Sequence, residues 1–306
     1  MSRTRFSAAL LKPRHWLSWL GAGLWIVLAQ LPYKWQLWVA RQLAPLLYLN
    51  KKRINYARVN LERCFPEKSD AEREELLKKN TESMMTAAFE TGIGWFWSAR
   101  RLRKLHTIEG VEHIHEAQRQ GSGILLLTTH FSTLDIGSAF LGCNVEFDGL
   151  YRPHGNKVYD YIQRKGRESY CKTGEAIPRD NIRGMIAKLR QGRAVWYAPD
   201  RDLGAKNSVF VDFFGVPAAT ITATSKIVKL GRAKVIPFTQ VRMDDGSGYK
   251  LTIHPAFENF PSGDDIADTQ RVSDFMAEQI AKCPEQYFWA QPRFKTRPPG
   301  ESDFYE

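Results

Sequence analysis

Acidic residues are scarce in this 306-residue chain: 33 Asp and Glu stand against 44 Lys and Arg, a net charge of +11. That imbalance disfavours cationic ligands. It suits an anionic partner, whether nucleic acid, a membrane surface, or an acidic protein or substrate. Cysteine is equally sparse. Cys64, Cys143, Cys171 and Cys283 lie far apart with no CxxC pair, which excludes a disulfide frame or zinc ribbon. They read as reduced thiols or small buried hydrophobes in a cytosolic setting. The G-x-S-x-G elbow, the G-x-x-x-x-G-K-[ST] phosphate loop and the H-E-x-x-H zinc motif are all missing. His113 and His115 sit two apart on an expected helix and so do not share a face, which argues against a metal site. There is no internal repeat, and the basic excess is dispersed rather than gathered into a nucleic-acid-binding stripe.

One stretch lacks charge altogether: Trp16–Tyr33, eighteen residues. At about 1.5 Å per helical residue it approaches the roughly 30 Å hydrocarbon layer of a bilayer. Arg3, Arg5, Lys12 and Arg14 precede it, Lys34 and Arg41 follow, and Trp16, Trp19, Trp25, Tyr33 and Trp35 supply aromatics near both ends. Residues 1–50 therefore read as a membrane anchor built on an N-terminal membrane helix. No A-x-A site marks a cleaved signal peptide. Ser18, Gln30 and Pro32 weaken a full span and leave an interfacial placement open, and the basic residues on both flanks leave orientation open. Residues 51–106 read as a helical membrane-proximal segment. Within it, GIGWFWSARRLRKL sets Trp95, Phe96 and Trp97 beside Arg100, Arg101, Arg103 and Lys104. That is either a headgroup-level anchor or a core aromatic cluster followed by a solvated basic turn.

A long helix is expected over 69–97, capped by Ser69 or Asp70. From about residue 107 short aliphatic runs (GILLLTT, AVWYAP, AKVIPF) alternate with helical patterns at Asp180–Leu189, Thr220–Leu230 and Asp264–Ala281. Residues 107–306 thus predict an α/β domain, a mostly parallel sheet flanked by helices, with YKLTIHPAF as an antiparallel strand.

In open α/β sheets chemistry gathers beyond the carboxyl ends of the strands. His130 follows ILLLTT, Tyr151 and Arg152 follow VEFDGL, and Asp200, Arg201 and Asp202 follow AVWYAP. Asp135 stands five positions after His130. A chain of this composition carries about one such pair by chance, so the spacing alone is weak. Its place at a strand's exit, with Ser132 or Thr133 as an N-cap for the next helix, makes acid–base work plausible. A neutral imidazole can take a proton from an alcohol while a carboxylate on its other nitrogen fixes the tautomer. The structural alternative is a histidine at a strand end with Asp135 facing solvent.

HFSTLD, YRPHGNK, GRESY, VWYAPDRDLG, SVFV, PEQYFWAQPRFKTRPPGE, LKPRHWLSWLG and NLERCFPEKS, taken in order, resemble the lipid A late acyltransferases, the lauroyl- and myristoyltransferase-like enzymes of Gram-negative bacteria. The resemblance spans essentially the whole chain. It implies a glycerophosphate-acyltransferase-like α/β fold and an inner-membrane location with the catalytic domain on the cytoplasmic side. It also implies transfer of a lauroyl-like chain from acyl carrier protein to a hydroxyacyl hydroxyl of a Kdo-bearing lipid A precursor, with no cofactor. A related membrane acyltransferase acting on another glycolipid or a lysophospholipid is the alternative. Carried over residue by residue, His130 matches the general base and Asp135 its acidic partner. Arg167 and Asp200 match essential positions: Arg167 to bind phosphate or the developing oxyanion, Asp200 to orient Arg167 or a sugar hydroxyl. Arg152 and Arg164 are further candidates for substrate phosphate. Phe, Trp and Leu side chains near VWYAP and VFVDFFG are expected to line an acyl groove. One segment departs from the family pattern: Ala290, Gln291 and Pro292 precede Arg293, Phe294 and Lys295 where relatives commonly read His-Arg-Arg-Phe-Lys.

Overall fold

Aliphatic strands without a polar face need cover on both sides, and in this chain helices supply it. The computed structural model describes residues 4–169 and 171–306; Arg3 of the basic flank and Tyr170 of GRESY lie outside the described residues. In chain order the elements are α1 (Trp16–Ala29), α2 (Tyr33–Leu43), α3 (Lys51–Cys64), α4 (Asp70–Phe96), α5 (Ala99–Leu102), β1 (His106–Glu109), α6 (Val111–Arg119), β2 (Gly123–Leu127), α7 (Leu134–Gly142) and β3 (Phe147–Tyr151). There follow α8 (Lys157–Glu168), β4 (Ala176–Pro178), α9 (Ile182–Arg190), β5 (Ala194–Tyr197), β6 (Ser208–Phe213), β7 (Val216–Ile221), α10 (Ala223–Gly231), β8 (Ala233–Arg242), β9 (Tyr249–Ile253) and α11 (Asp265–Lys282).

Seven strands form one sheet in the order β1-β9-β8-β2-β5-β3-β4. The run from β8 to β4 is parallel throughout; β9 pairs antiparallel with β8, and β1 runs parallel to β9. The mostly parallel α/β sheet is the class the alternating pattern predicts, and β9 is the antiparallel strand expected at YKLTIHPAF. At the centre, Ile124, Leu125, Leu126 and Leu127 are fully buried, as a strand covered on both faces requires. The helix expected from Thr220 starts later, at Ala223, because Thr220 and Ile221 pair with Val209 and Ser208 in a separate β6–β7 hairpin. Phe214 and Gly215 both take positive φ (56° and 78°) at its tip, the two-residue turn that matches strand twist.

α4 is the expected long helix. Ser69 and Glu72 form a reciprocal capping box at its start. It packs against α2, α7 and α8. A buried ion pair ties it to the sheet: Arg242 Nε and Nη2 donate to Glu90 Oε1 and Oε2 at 2.6 and 2.8 Å, and Tyr249 OH donates to Oε1 at 2.6 Å.

The membrane-crossing helix expected within residues 1–50 is not formed. α1 has 14 residues, about 21 Å at 1.5 Å each, and among the described residues no helix is long and apolar enough to cross a membrane. Side chains seal its end. Trp97 Nε1 donates to Ala29 O at 2.5 Å, Gln36 Nε2 donates to Ala29 O and Leu31 O, and Pro32 precedes α2. A broad apolar surface remains in the same segment: Leu17, Leu20, Leu24, Val27, Trp35, Trp38 and Leu49 are all exposed, Leu17 by 81%. Of the two readings of the WFW block, the core cluster holds for the tryptophans. Trp95 and Trp97 are buried, Phe96 is half-buried, and the basic tail reaches solvent, with Arg101 stacked 3.5 Å over Trp97.

Candidate active site

β2 and β5 are parallel neighbours with Leu127 opposite Tyr197, and Thr128 N extends the ladder to Tyr197 O at 2.9 Å. Three residues beyond each member of that pair stand His130 and Asp200. Equal offsets from one register bring them together. Asp200 Oδ1 accepts from His130 Nδ1 at 2.5 Å, and Oδ2 accepts from the His130 backbone N–H at 2.8 Å. Asp200 is fully buried, whereas the His130 side chain is 27% exposed. Burial opposes charge on Asp200. The interaction with His130, through its ring and backbone N–H groups, and, more distantly, the charge of Arg293 outweigh that and hold the carboxyl below the usual range. With Nδ1–H committed to a carboxylate, Nε2 is the basic nitrogen.

This geometry corrects the expected pairing. Asp135 is not hydrogen-bonded to His130. It lies in the first turn of α7 and accepts from Arg167 Nη2 at 2.8 Å and Nε at 3.2 Å. Arg167, on the last turn of α8, also donates Nη1 to Leu150 O at 3.1 Å. Asp200 therefore does not orient Arg167, and three of the five guanidinium N–H donors are already engaged within the protein. The reason is topological: β5 lies beside β2 and delivers its own acid to Nδ1, while α7 carries Asp135 toward α8. Nor do Ser132 and Thr133 cap α7 through their side chains. Ser132 Oγ pairs with Ser83 Oγ at 2.8 Å, and Thr133 Oγ1 donates to Gln240 O at 2.8 Å.

His130 and Asp135 line one cleft of about 290 Å³. One wall is a stripe of α4, Met84, Ala87, Ala88 and Thr91, at helical spacing; the rest is Phe131, Ser132, Leu134 and Phe288. None of the side chains near VWYAP and VFVDFFG lines this cleft: Val195, Trp196, Tyr197 and Phe213 are packed into the core, while Phe210 is exposed elsewhere. The α4 stripe and Phe288 were not singled out in the sequence. The stripe's signal was its run of small and apolar residues every third or fourth position, and Phe288 gave none. Arg152 is exposed at the end of β3, and Arg164 lies 5.7 Å over the Tyr151 ring; neither lines the cleft. Arg293 is buried, donating to Ala219 O and Thr220 Oγ1, so its charge acts from behind Asp200 rather than at the surface.

α8 reaches α4 through Gly166, where an added Cβ would lie 2.4 Å from Trp95 Cγ. Gly166→Ala is expected to cost about 1–3 kcal/mol through overpacking. It should also push the neighbouring Arg167 off Asp135. Thermal melting and turnover of that variant check both effects.

Chemically, a basic imidazole nitrogen backed by a buried carboxylate, at the mouth of a largely apolar cleft, can deprotonate a hydroxyl on a lipid-like substrate. The model for bacterial lipid A biosynthesis acyltransferases matches residues 3–296. The chain is 42% identical over 308 residues to the lipid A biosynthesis lauroyltransferase of Escherichia coli strain K12, covering 98% of both chains. It is 38% identical over 303 residues to the lipid A biosynthesis palmitoleoyltransferase of the same strain, again covering 98% of both. Among solved structures, the 1-acyl-sn-glycerophosphate acyltransferase PlsC of Thermotoga maritima aligns over 78% of this chain and 97% of its own, with 13% identity and a TM-score of 0.37.

Proposed function

The chain belongs to the bacterial lipid A biosynthesis acyltransferases, and on that premise we propose that it moves a lauroyl-like chain from acyl carrier protein to a hydroxyacyl hydroxyl of a Kdo-bearing lipid A precursor. The observation that carries the mechanism is the His130–Asp200 pair at the edge of an apolar cleft. His130 Nε2 takes the acceptor's hydroxyl proton as its oxygen attacks the thioester carbonyl. The tetrahedral intermediate then collapses: the C–S bond breaks, the thiolate of the carrier recovers the proton from His130, and a new ester, the acyloxyacyl group, remains. Asp200 keeps Nδ1 protonated and stabilises the imidazolium. The α4 stripe and Phe288 receive the acyl chain. Asp135, braced by Arg167, faces the same cleft as a hydrogen-bond acceptor for the substrate, and Arg152 and Arg164 meet its phosphates.

The exposed apolar faces of α1 and α2, flanked by basic residues, support an enzyme seated on the cytoplasmic leaflet of the inner membrane. An acceptor that stays in the bilayer would reach the cleft from there. The net charge of +11 suits a phosphorylated glycolipid and an acidic carrier. The acyl group is the least constrained part, since similar relatives are named for lauroyl and for palmitoleoyl transfer.

The test supplies purified protein with acyl carrier thioesters of graded length and the tetra-acylated Kdo-bearing precursor. Mass spectrometry should show one added acyl chain in ester linkage, with a lauroyl-length preference. No gain from any donor, or free fatty acid released without acceptor, overturns the reading.

A further inference from the structure

The turn bearing His130 is held from outside the sheet by a segment near the other end of the chain. Phe288 N donates to His130 O at 3.0 Å, Ser132 N donates to Gln286 O at 2.6 Å, and Phe131 faces Tyr287 as an antiparallel bridge. Tyr287 OH also reaches Asp200 O, at 3.4 Å. One segment therefore touches the backbone of both members of the pair.

The segment opens with a 3₁₀ turn at Pro284–Gln286 and continues without regular structure, so many of its carbonyls need partners from elsewhere. Two buried asparagines supply four such hydrogen bonds. Asn80 Nδ2 donates to Glu285 O at 2.9 Å and Tyr287 O at 2.7 Å. Asn60 Nδ2 donates to Trp289 O at 2.8 Å and Gln291 O at 2.7 Å. A primary amide offers two N–H donors from one nitrogen, enough to hold two carbonyls two residues apart in the chain. Asn80 lies on α4 four residues before Met84, so the face that lines the cleft also anchors the strap.

We propose that Asn80 and Asn60 are positioning residues. By pinning residues 285–291 they fix the backbone of His130 and the cleft wall at Phe288. Neither asparagine touches substrate. The inference rests on His130 acting as the base. Loosening the strap lets the imidazole drift, which lowers turnover more than it weakens binding of a donor held largely by the α4 stripe.

Asn80→Asp keeps the shape but replaces the donor nitrogen with an oxygen facing two carbonyls. Steady-state rates with the acyl carrier thioester and the tetra-acylated precursor should show kcat reduced about 100-fold and KM for the donor changed less than about 3-fold. Amide hydrogen exchange at Ser132 and Phe288 should quicken by at least about 10-fold relative to amides in α11. Asn60→Ala should show the same split. Ser225→Ala, which removes a buried hydrogen bond to Asp268 on the far side of the fold, is the control for general destabilisation. A kcat within about 3-fold of wild type for Asn80→Asp, or a loss no larger than the control's, overturns the proposal. Should Asn80→Asp not fold, Asn60→Ala decides by the same criteria. If wild type itself transfers nothing, the reading of the site fails, while unchanged exchange at Ser132 and Phe288 would separately sink the strap.

Discussion

Asp200→Asn is expected to cut turnover by about 10³- to 10⁴-fold in a protein that still folds, and Asp135→Asn is expected to cost far less, about 10-fold. The difference follows from which acid touches the imidazole. Asp200 accepts two hydrogen bonds from His130, one from the ring and one from the backbone. An asparagine must keep its oxygen on the backbone N–H, which turns its NH2 toward Nδ1. The ring then protonates on Nε2, and the nitrogen needed as a base carries a hydrogen instead. Asp135→Asn leaves that tautomer untouched and only weakens the grip on Arg167. Measuring kcat for both variants at saturating donor and acceptor settles the order. Equal losses would return Asp135 to the role its spacing from His130 first suggested.

The pH dependence has a defined sign. Asp200 has its folded-state pKa depressed, so its charge contributes stability that is complete above the ordinary carboxylate value of about 3.9. That contribution is lost as pH falls through the lower folded value. The stability gap between wild type and Asp200→Asn should therefore close as pH falls into the acid range. Thermal melts over an acid pH series measure it, and a gap that stays open to the lowest pH would contradict the assignment.

Glu90→Ala is expected to destabilise the fold by about 3–5 kcal/mol, a large part of the roughly 5–15 kcal/mol that folded proteins hold. Glu90 is 1% exposed and takes both hydrogen bonds of the Arg242 fork. Burial works against the charge on Arg242, but Glu90 more than compensates and raises its pKa. Alanine would leave a buried cation without its partner and the Tyr249 hydroxyl without its acceptor. Removing both charges together, in Glu90→Leu with Arg242→Met, should recover most of the loss, because an apolar pair of similar volume avoids the desolvation penalty. Urea melts of the single and double variants give the comparison. A single variant within about 1 kcal/mol of wild type, or a double variant no better than the single, would refute it.

Residues close in sequence announced much of this molecule. The apolar runs at GILLL and AVWY and the helical spacing after Ser69 are properties of local windows, and α/β class with a mostly parallel sheet followed from them. His130 and Asp200 were each visible as a polar residue at a strand's exit. Their partnership was not, because it depends on β5 lying beside β2 with Leu127 opposite Tyr197, a pairing between residues 70 apart. The spacing from His130 to Asp135 was local and visible, yet α7 takes that carboxylate to Arg167 instead. The uncharged run from Trp16 has the length of a membrane span, but α1 ends after 14 residues, where Gln36 from the next helix and Trp97 from 68 residues away both cap Ala29 O. Hydrophobic periodicity is written over a few consecutive residues, so the elements and their class can be read from it. Hydrogen-bond partners are chosen by strand order and helix packing, so the identity of the acid behind His130, the cleft along α4 and the strap at residues 285–291 exist only once distant segments meet.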